Sequence, residues 1–234
     1  MYERDDFSFS LDNFSGRTKL LALPNLLMFP HVMQPLHIVE QEHRNLLKEA
    51  LADDKMIALS VLEPSRELSK QNEQRVFPFA CLAKVVCFQK MQDDGYNVLL
   101  IGIQRVRLIE SVPNSPPYPE AIVELCDDIY PKELATYDEI QKRFREAFAR
   151  FFSNPSGTDD LLGKLLDTEV PLGVRTDVLS YMLDLPLQKK KELLAEVNVH
   201  RRAEVLLKCL NAIAIDHSIG KSGTTPFPPL FSTN

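Results

Sequence analysis

Hydrophobic residues in the first half of the chain occur in short runs that stop at Pro, Asp or Gly. Runs with this length and these boundaries are typical of β-strands. The predicted strands are 19–23, 34–39, 56–62, 80–88, 96–103, 105–112 and 121–126. Asp-Asp-Gly at 93–95 favours a hairpin, because glycine readily adopts the positive φ of a tight turn. An amphipathic helix is predicted at 40–53, and the polar stretch 63–75 predicts a loop.

In the second half of the chain, hydrophobic residues recur every three to four positions, which is typical of helices. The first helical stripe begins after residue 131 and contains Leu134, Tyr137, Ile140, Phe144, Phe148 and Phe151. Further helices are predicted at 160–166, 172–183, 185–197 and 198–216, with Asn198 as the cap of the last one. Because strands precede helices without alternating with them, the sequence predicts an α+β fold.

These patterns divide the chain into four parts. Residues 1–17 are an N-terminal extension, 18–128 a β-rich subdomain, 129–216 a helical bundle and 217–234 a Pro-rich C-terminal tail. Both ends carry aromatic residues, so we expect them to be held against protein rather than to fray. They either dock onto their own domain or exchange with a neighbouring copy, and exchange would make a homodimer.

The amino-acid composition excludes several classes of protein. Of the 234 residues, 44% are hydrophobic and 26% are charged, which excludes disorder of the whole chain. No apolar run approaches the roughly 18 residues of a membrane span, and the polar N-terminus does not resemble a secretory signal. Four cysteines without paired spacing indicate a reducing compartment, so we expect a cytoplasmic protein that does not bind membranes.

The sequence offers little for catalysis. The chain has 16 prolines and only 8 glycines, whereas phosphate-binding loops depend on glycine. Gly220-Lys221-Ser222 has the ending of such a loop, but Ile215 occupies the first glycine position. The Ser-Gly-rich segment 218–223 lacks the strand–turn–helix setting of a nucleophilic serine. We therefore expect no catalytic residue and no cofactor.

Metal and nucleic-acid sites are equally poorly supported. Cys81 and Cys87 lie six residues apart, and His31, His37 and His43 recur at an interval that matches no metal motif, so we expect no metal. The basic runs 189–191 and 201–202 are interpreted as solvated helix faces. A net charge of −6 argues against nucleic acid as a partner. A local basic patch is still conceivable from four residues: Lys84, Lys90, Arg105 and Arg107.

Several segments resemble the N-terminal, substrate-binding domain of Lon proteases. Leu-Ala-Leu-Pro-Asn-Leu-Leu-Met-Phe-Pro at 21–30 is similar to the opening of that domain, and 98–108 has its apolar strand followed by Gly-x-x-Arg. Segments 177–183, 189–196 and 199–206 look like its C-terminal bundle. The resemblance covers roughly residues 18 to 215. The ATPase and Ser-Lys peptidase of full-length Lon have no counterpart in the sequence, so the expected protein is a stand-alone, non-catalytic member.

The resemblance implies a particular fold and role. The fold is a β-rich pseudobarrel, related to the PUA-like fold and containing one inserted helix, followed by an α-helical bundle. The role is recognition of unfolded or exposed polypeptide segments, as an adaptor or holdase in protein quality control. A separate protease or chaperone would then be the working partner. Two alternatives remain: an RNA-binding PUA-like module, and a hydrolase with an unrecognised site.

Three apolar residues are the candidate peptide-binding residues: Met28, Phe29 and Met33. Methionine and phenylalanine on a polar connection suit sequence-tolerant binding, and backbone pairing at an exposed strand edge would add affinity. The alternative is that these side chains plug the barrel. Three prolines are interpreted as fixing the path of this connection over the barrel mouth: Pro24, Pro30 and Pro35.

The Gly-x-x-Arg motif has a structural interpretation of its own. Glycine inside an apolar strand indicates a bulge or a close approach of another backbone, and this position is Gly102. Arg105 and Arg107 alternate along the following strand, so they would project on the same side and could hold a loop carboxylate.

Overall fold

The structure is a computed structural model that describes residues 3–4, 11, 14–63, 75–112, 118–151 and 170–218. The described residues up to Cys126 form one compact unit, and those from Asp127 onward form a second. The predicted helix 160–166, most of the predicted loop 63–75 and nearly all of the Pro-rich tail lie outside the described residues. The expectation that the ends dock or exchange therefore stays a prediction.

The first unit is built from strands, with one helix inserted among them. The strands are β1 (Glu3–Arg4), β2 (Arg17–Leu23), β3 (Met33–Ile38), β4 (Met56–Glu63), β5 (Arg75–Val76), β6 (Phe79–Lys90), β7 (Tyr96–Val112) and β8 (Glu120–Cys126). Five of them follow the order β6-β4-β2-β8-β7, and β7 pairs back onto β6, so the sheet closes into a ring. The neighbours in this ring are antiparallel except for the parallel pair β2 and β4. The predicted α+β fold with a β-rich pseudobarrel is confirmed.

The ring encloses a hydrophobic core that follows from strand alternation. In β8, for example, Ala121 and Val123 are buried while Ile122 and Glu124 are exposed. We call the enclosed cluster the interior core, and its buried members are Leu20, Met56, Ala58, Ala80, Leu82, Val106, Ala121 and Val123. Residues of opposite parity on the same strands face away from this core, on the outer face of the sheet.

Helix α1 (Gln41–Ala52) is the inserted helix, and it matches the segment predicted at 40–53. Its apolar side chains Leu46, Leu47 and Ala50 are buried, while its charged positions remain in solvent. At its C-terminal end, Asp53 forms an ion pair with the mostly buried Lys19 of β2. The helix is thereby fixed to the ring beside β2.

The second unit is helical. Its described helices are α2 (Leu134–Phe151), α3 (Leu172–Met182), α4 (Leu187–Ala195) and α5 (Val199–Ser218), in agreement with the predicted bundle. The predicted apolar stripe of α2 is buried at Ile140, Phe144 and Phe148. Asn198 caps α5 as predicted, because its side-chain oxygen accepts a hydrogen bond of 3.0 Å from the Arg201 amide.

A buried arginine corrects the interpretation of the basic runs as solvated faces. Arg202 is 0% exposed, and Lys191 in the other basic run is also buried. The Arg202 guanidinium donates two hydrogen bonds, of 2.9 and 2.7 Å, to the Asp128 carboxylate. It also lies 3.4 Å from the fully buried carboxylate of Asp177 and donates to the Thr176 hydroxyl at 2.8 Å. Burial is possible because the planar guanidinium finds an acceptor for each of its nitrogens.

Candidate peptide-binding site

The connection between β2 and β3, residues 24–32, crosses the sheet at Gly102. The Gly102 amide donates to the Val32 carbonyl at 2.9 Å, and the Gly102 carbonyl accepts from the His31 amide at 2.9 Å. A Cβ atom at Gly102 would lie only 2.1 Å from the Phe29 carbonyl oxygen. The structure therefore has the close backbone approach that glycine in this strand predicts. A bulge follows directly, because Ala83 pairs with Gly102 whereas Leu82 pairs with Gln104.

The connection lies on the outer face of the sheet. The same Cβ position would lie 3.0 Å from the Cys81 sulfur. Cys81 alternates with Ala80 and Leu82, whose side chains belong to the interior core. The connection thus approaches Gly102 from the face opposite that core.

The structure separates the three candidate peptide-binding residues. Met28 and Phe29 are 0% exposed, so in this conformation they pack within the protein. Met33, the first residue of β3, is 46% exposed. Of the prolines, Pro24 lies exposed in the turn after β2, and Pro30 is buried in the connection.

Pro35, the third proline, lies within β3, which is an edge strand. Strand β7 pairs with β6 along one side, while its other side pairs first with β3, from Tyr96 to Ile101, and then with β8. Among the described strands, β3 pairs with β7 alone. Proline is tolerated at such an edge because it removes no hydrogen bond from the sheet.

The hydrogen bonds of Gly102 determine which backbone groups of β3 point outward. Since the Gly102 amide and carbonyl face the β3 side, the backbone groups of Leu100 and Val98 face that side too. Their partners, Gln34 and Leu36, use their own backbone groups to pair with β7. The outward groups therefore belong to Met33, Pro35 and His37, and we call this row the β3 edge.

The centre of the β3 edge is already partly satisfied. Pro35 has no amide hydrogen to offer. Its carbonyl oxygen accepts a hydrogen bond of 2.9 Å from the Gln34 side-chain amide. Within the described parts of the chain, the remaining outward-facing pairing groups therefore lie at the two ends, at Met33 and at His37.

A pocket opens beside the C-terminal end of β3, and we call it the β3 pocket. It is shallow and open to solvent, with a cavity volume of about 20 Å³, which is roughly the room of one water molecule. Most of its walls are aliphatic. The lining residues are Leu21, Leu23, Leu36, His37, Ile38, Val39, Glu40 and His43.

Polar groups surround the mouth of the β3 pocket. His37 Nδ1 is 2.7 Å from the Asn97 side-chain oxygen, and His43 Nδ1 is 3.4 Å from the Glu40 carboxylate. Nearby, Lys90 pairs with Asp94 at 2.8 Å. That hydrogen bond lowers the pKa of the Asp94 carboxyl and raises the pKa of the Lys90 ammonium. The pocket thus combines an apolar interior with a polar rim.

The two arginines of the Gly-x-x-Arg motif have different surroundings. Arg105 is 3% exposed, whereas the Arg107 side chain is 52% exposed and pairs with Glu124. Glu124 lies directly across from Arg107 on β8, so this carboxylate comes from a strand and not from a loop. The pairing holds β7 and β8 together on the surface.

The structure spreads out the four residues of the conceivable basic patch. Arg107 lies opposite Phe79 at one end of the β6–β7 ladder, and Lys90 lies opposite Tyr96 at the other. At about 3.3 Å per residue, these ends are roughly 36 Å apart along the strand. Lys90 is paired with Asp94, as described above. These cations form no common surface.

Sequence reasoning did not identify the β3 pocket. Its lining comes from β2, β3 and the start of α1, and only the ring topology brings those segments together. The regular spacing of His31, His37 and His43 was a partial signal. Two of these histidines line the pocket, whereas His31 lies in the connection beside Gly102.

Two negative findings apply to the described parts of the chain. There, no group of three or more His, Cys, Asp and Glu side chains is arranged to hold a metal ion. None of the helices that the structure describes combines the length and the apolar composition needed to cross a membrane.

Known Lon proteases are similar to this chain over most of its length, and two bacterial examples are informative. Lon protease 2 of Myxococcus xanthus is 25% identical over 196 residues, and the Lon protease of Anaeromyxobacter dehalogenans is 26% identical over 198 residues. Both alignments cover 82% of this chain, but only 23% and 22% of the respective relatives. The chain thus spans less than a quarter of the length of these curated relatives.

Solved structures of Lon N-terminal domains share the fold. The N-terminal domain of the Mycobacterium avium complex Lon protease matches with a TM-score of 0.61 at 17% identity, covering 86% of this chain and 99% of that one. A Lon N-terminal domain protein from Xanthomonas campestris matches with a TM-score of 0.55 at 16% identity, covering 82% and 97%. The family model of the ATP-dependent protease La (LON) substrate-binding domain matches residues 17–212. The chain therefore belongs to the Lon substrate-binding domain family.

Proposed function

We propose that this chain is a non-catalytic module that binds exposed or unfolded polypeptide segments. It holds them for a separate protease or chaperone, as an adaptor or holdase. Membership of a substrate-binding domain family supports a binding role. The observation that carries the proposal is the β3 edge, which has an exposed methionine at one end and an apolar pocket at the other.

The arrangement suits an extended segment of another chain. Strand edges bind such segments through main-chain hydrogen bonds, which are independent of sequence, while side-chain pockets add selectivity. Met33 supplies a flexible apolar contact that can adapt to different side chains. In this proposal Met28 and Phe29 contribute indirectly. Because they are buried in the connection, they fix the position at which Met33 reaches the surface.

Binding is tested with a reduced, carboxymethylated polypeptide that carries a fluorescent label. Fluorescence anisotropy should show saturable binding to the wild-type chain. Met33→Asp and Val39→Asp place a charge at either end of the site, and we expect each to weaken binding by about tenfold or more, since about 1.4 kcal/mol of apolar contact is lost.

Ile109→Asp is the matched control for these variants. Ile109 is 54% exposed, but it lies in the part of β7 that pairs with β8 and not with β3. This variant should bind like the wild type. Equal loss in all three variants, or no binding by the wild type, would contradict the proposal.

A second set of measurements separates the adaptor role from the holdase role. A holdase suppresses the light scattering of a denaturing client protein when present in equimolar amounts. An adaptor instead accelerates degradation of the client only when a Lon-type protease is added. Cleavage of the client by this chain alone would overturn the non-catalytic part of the proposal.

A further inference from the structure

Strand β6 extends beyond its ring partner β4, so its C-terminal part has a side that no ring strand covers. The pairing of β6 with β4 ends at Lys84, opposite Met56, and the Val85 amide donates to the Lys55 carbonyl at 2.9 Å. Beyond this point, among the described strands, β1 alone pairs with this side of β6. We call this side of residues 87–90 the β6 edge.

The hairpin between β6 and β7 determines which backbone groups face the β6 edge. The Met91 amide donates to the Gly95 carbonyl at 2.8 Å, so the next hydrogen-bonded pair joins Gln89 to β7. The alternate residues of β6, Phe88 and Lys90, therefore direct their amides and carbonyls away from β7. These are the groups with which another strand can pair.

Strand β1 occupies part of this edge. Glu3 lies opposite Phe88, so the two residues form a hydrogen-bonded pair. Arg4 lies opposite Cys87, whose backbone groups face β7, so the Arg4 amide points away from β6. With two residues, β1 forms few main-chain hydrogen bonds and is held weakly.

An apolar row crosses the sheet and ends at the β6 edge. Leu36 of β3, Val98 of β7 and Phe88 of β6 lie opposite one another, so their side chains share one face. Leu36 and Val98 are buried, whereas Phe88 at the end of the row is half-buried. The next position across the sheet is Glu3, which places a carboxylate where an apolar side chain would bury more surface.

From this arrangement we infer that the β6 edge is a second polypeptide-binding site, which β1 covers until a client displaces it. The clients are extended segments with an apolar residue opposite Phe88. Such a segment forms the same main-chain bonds as β1 and also extends the apolar row, which Glu3 does not. The inference goes beyond the proposed function, which places binding at the β3 edge.

The probe is a decapeptide with the sequence of residues 1–10, with leucine in place of Glu3 and a dye at its C-terminus. Fluorescence anisotropy measures its binding to the full chain. The variant Glu3→Leu gives β1 the missing apolar contact, so it should bind the probe about three- to tenfold more weakly than the wild type does. A probe with the natural glutamate should bind the wild type more weakly by a similar factor.

Two proline variants of the full chain form a matched pair. Glu3→Pro removes the amide that pairs with Phe88, so β1 is weakened and the probe should bind about two- to tenfold more tightly. Arg4→Pro removes an amide that points away from β6, so it should change the affinity by less than about twofold. Equal effects of the two prolines, or no effect of either, overturn the inference.

A disulfide locates the bound probe. Position 4 of the probe lies opposite Cys87 in a pair without hydrogen bonds, where the side chains are close enough for a disulfide. A probe with cysteine at position 4, activated as a thiopyridyl disulfide, should label Cys87 in preference to Cys126 and Cys209, which are half-buried like Cys87. Equal labelling of the three cysteines, read by peptide mass mapping, overturns the inference.

Two outcomes separate the β6 edge from the β3 edge. Loss of probe binding in Met33→Asp, with no effect of Glu3→Pro, would place the probe at the β3 edge. That result overturns the inference and supports the proposed function. Binding of the carboxymethylated polypeptide without binding of the probe has the same meaning. If neither ligand binds, the inference and the proposed function both fail.

Discussion

Replacing Gly102 with alanine tests how the connection is held against the sheet. The new methyl carbon would lie 2.1 Å from the Phe29 carbonyl oxygen and 3.0 Å from the Cys81 sulfur. Real Cβ atoms essentially never approach a neighbour closer than 3.0 Å, so something must move. A cysteine side chain can rotate, but the Phe29 carbonyl is backbone. The connection must therefore shift away from β7.

The magnitude follows from the bonds that this shift would break. The hydrogen bonds that join Gly102 to His31 and Val32 are both 2.9 Å long, and the Gly102 backbone is buried. A buried polar group left without its partner costs about 1–3 kcal/mol. Two such groups, the amide and the carbonyl of residue 102, give an expected loss of about 2–6 kcal/mol in the free energy of unfolding.

Urea unfolding followed by far-ultraviolet circular dichroism measures this loss, since the chain contains no tryptophan for fluorescence. Hydrogen exchange with mass spectrometry should show faster exchange of amides 27–33 in the variant than in the wild type. Adding Cys81→Ala to Gly102→Ala should rescue little, because the carbonyl remains in the way. A stability within about 0.5 kcal/mol of wild type, with unchanged exchange at 27–33, would refute the reasoning.

Three further predictions concern buried and partly buried groups. Arg202→Met should lower the free energy of unfolding by about 3–5 kcal/mol, because it removes the cation that faces the Asp128 and Asp177 carboxylates. Its control is Arg201→Met, at an exposed neighbouring position, which should change the free energy of unfolding by less than about 0.5 kcal/mol in the same urea titration. Met28→Asp buries an unpaired charge and should lower the melting temperature strongly, whereas a surface-only role for this residue would leave it unchanged. Burial, with the Asp128 carboxylate adding to it, raises the pKa of Tyr130, so the folded chain holds the phenolic proton more tightly than the unfolded chain. The free energy of unfolding should therefore fall as the pH rises above about 10. Tyr130→Phe should reduce that fall when urea midpoints at about pH 9 and pH 11 are compared. An identical fall in the variant and the wild type would contradict this prediction.

Sequence patterns predicted those features that depend on neighbours along the chain. Strand alternation and helical periodicity indicated the element types, and the cap at Asn198 was predicted because capping involves residues only three positions apart. The role of Gly102 was also predictable in kind, since glycine within an apolar strand usually marks a bulge or a close backbone approach. Its contact, the Phe29 carbonyl, was not predictable, because the path of the connection depends on the closed sheet.

Features that join distant segments were missed. The basic run at 201–202 was interpreted as solvated because nothing in its neighbourhood along the chain indicates a partner for Arg202. The acceptor, Asp128, lies 74 positions earlier. The β3 pocket needs β2, β3 and α1 in their folded positions before its lining exists. The orientation of the β3 edge depends on which side of β7 the Gly102 hydrogen bonds face. Each of these depends on the topology of the folded chain.

Pro35 has a further consequence for the solubility of the chain. An exposed strand edge with a complete row of donors and acceptors is a template on which aggregation-prone segments accumulate. The β3 edge lacks a donor at its centre, and Gln34 occupies the acceptor there. Copies of this chain therefore cannot join edge to edge through β3 into a continuous ladder. Pro35 thereby protects the chain from edge-to-edge aggregation through β3.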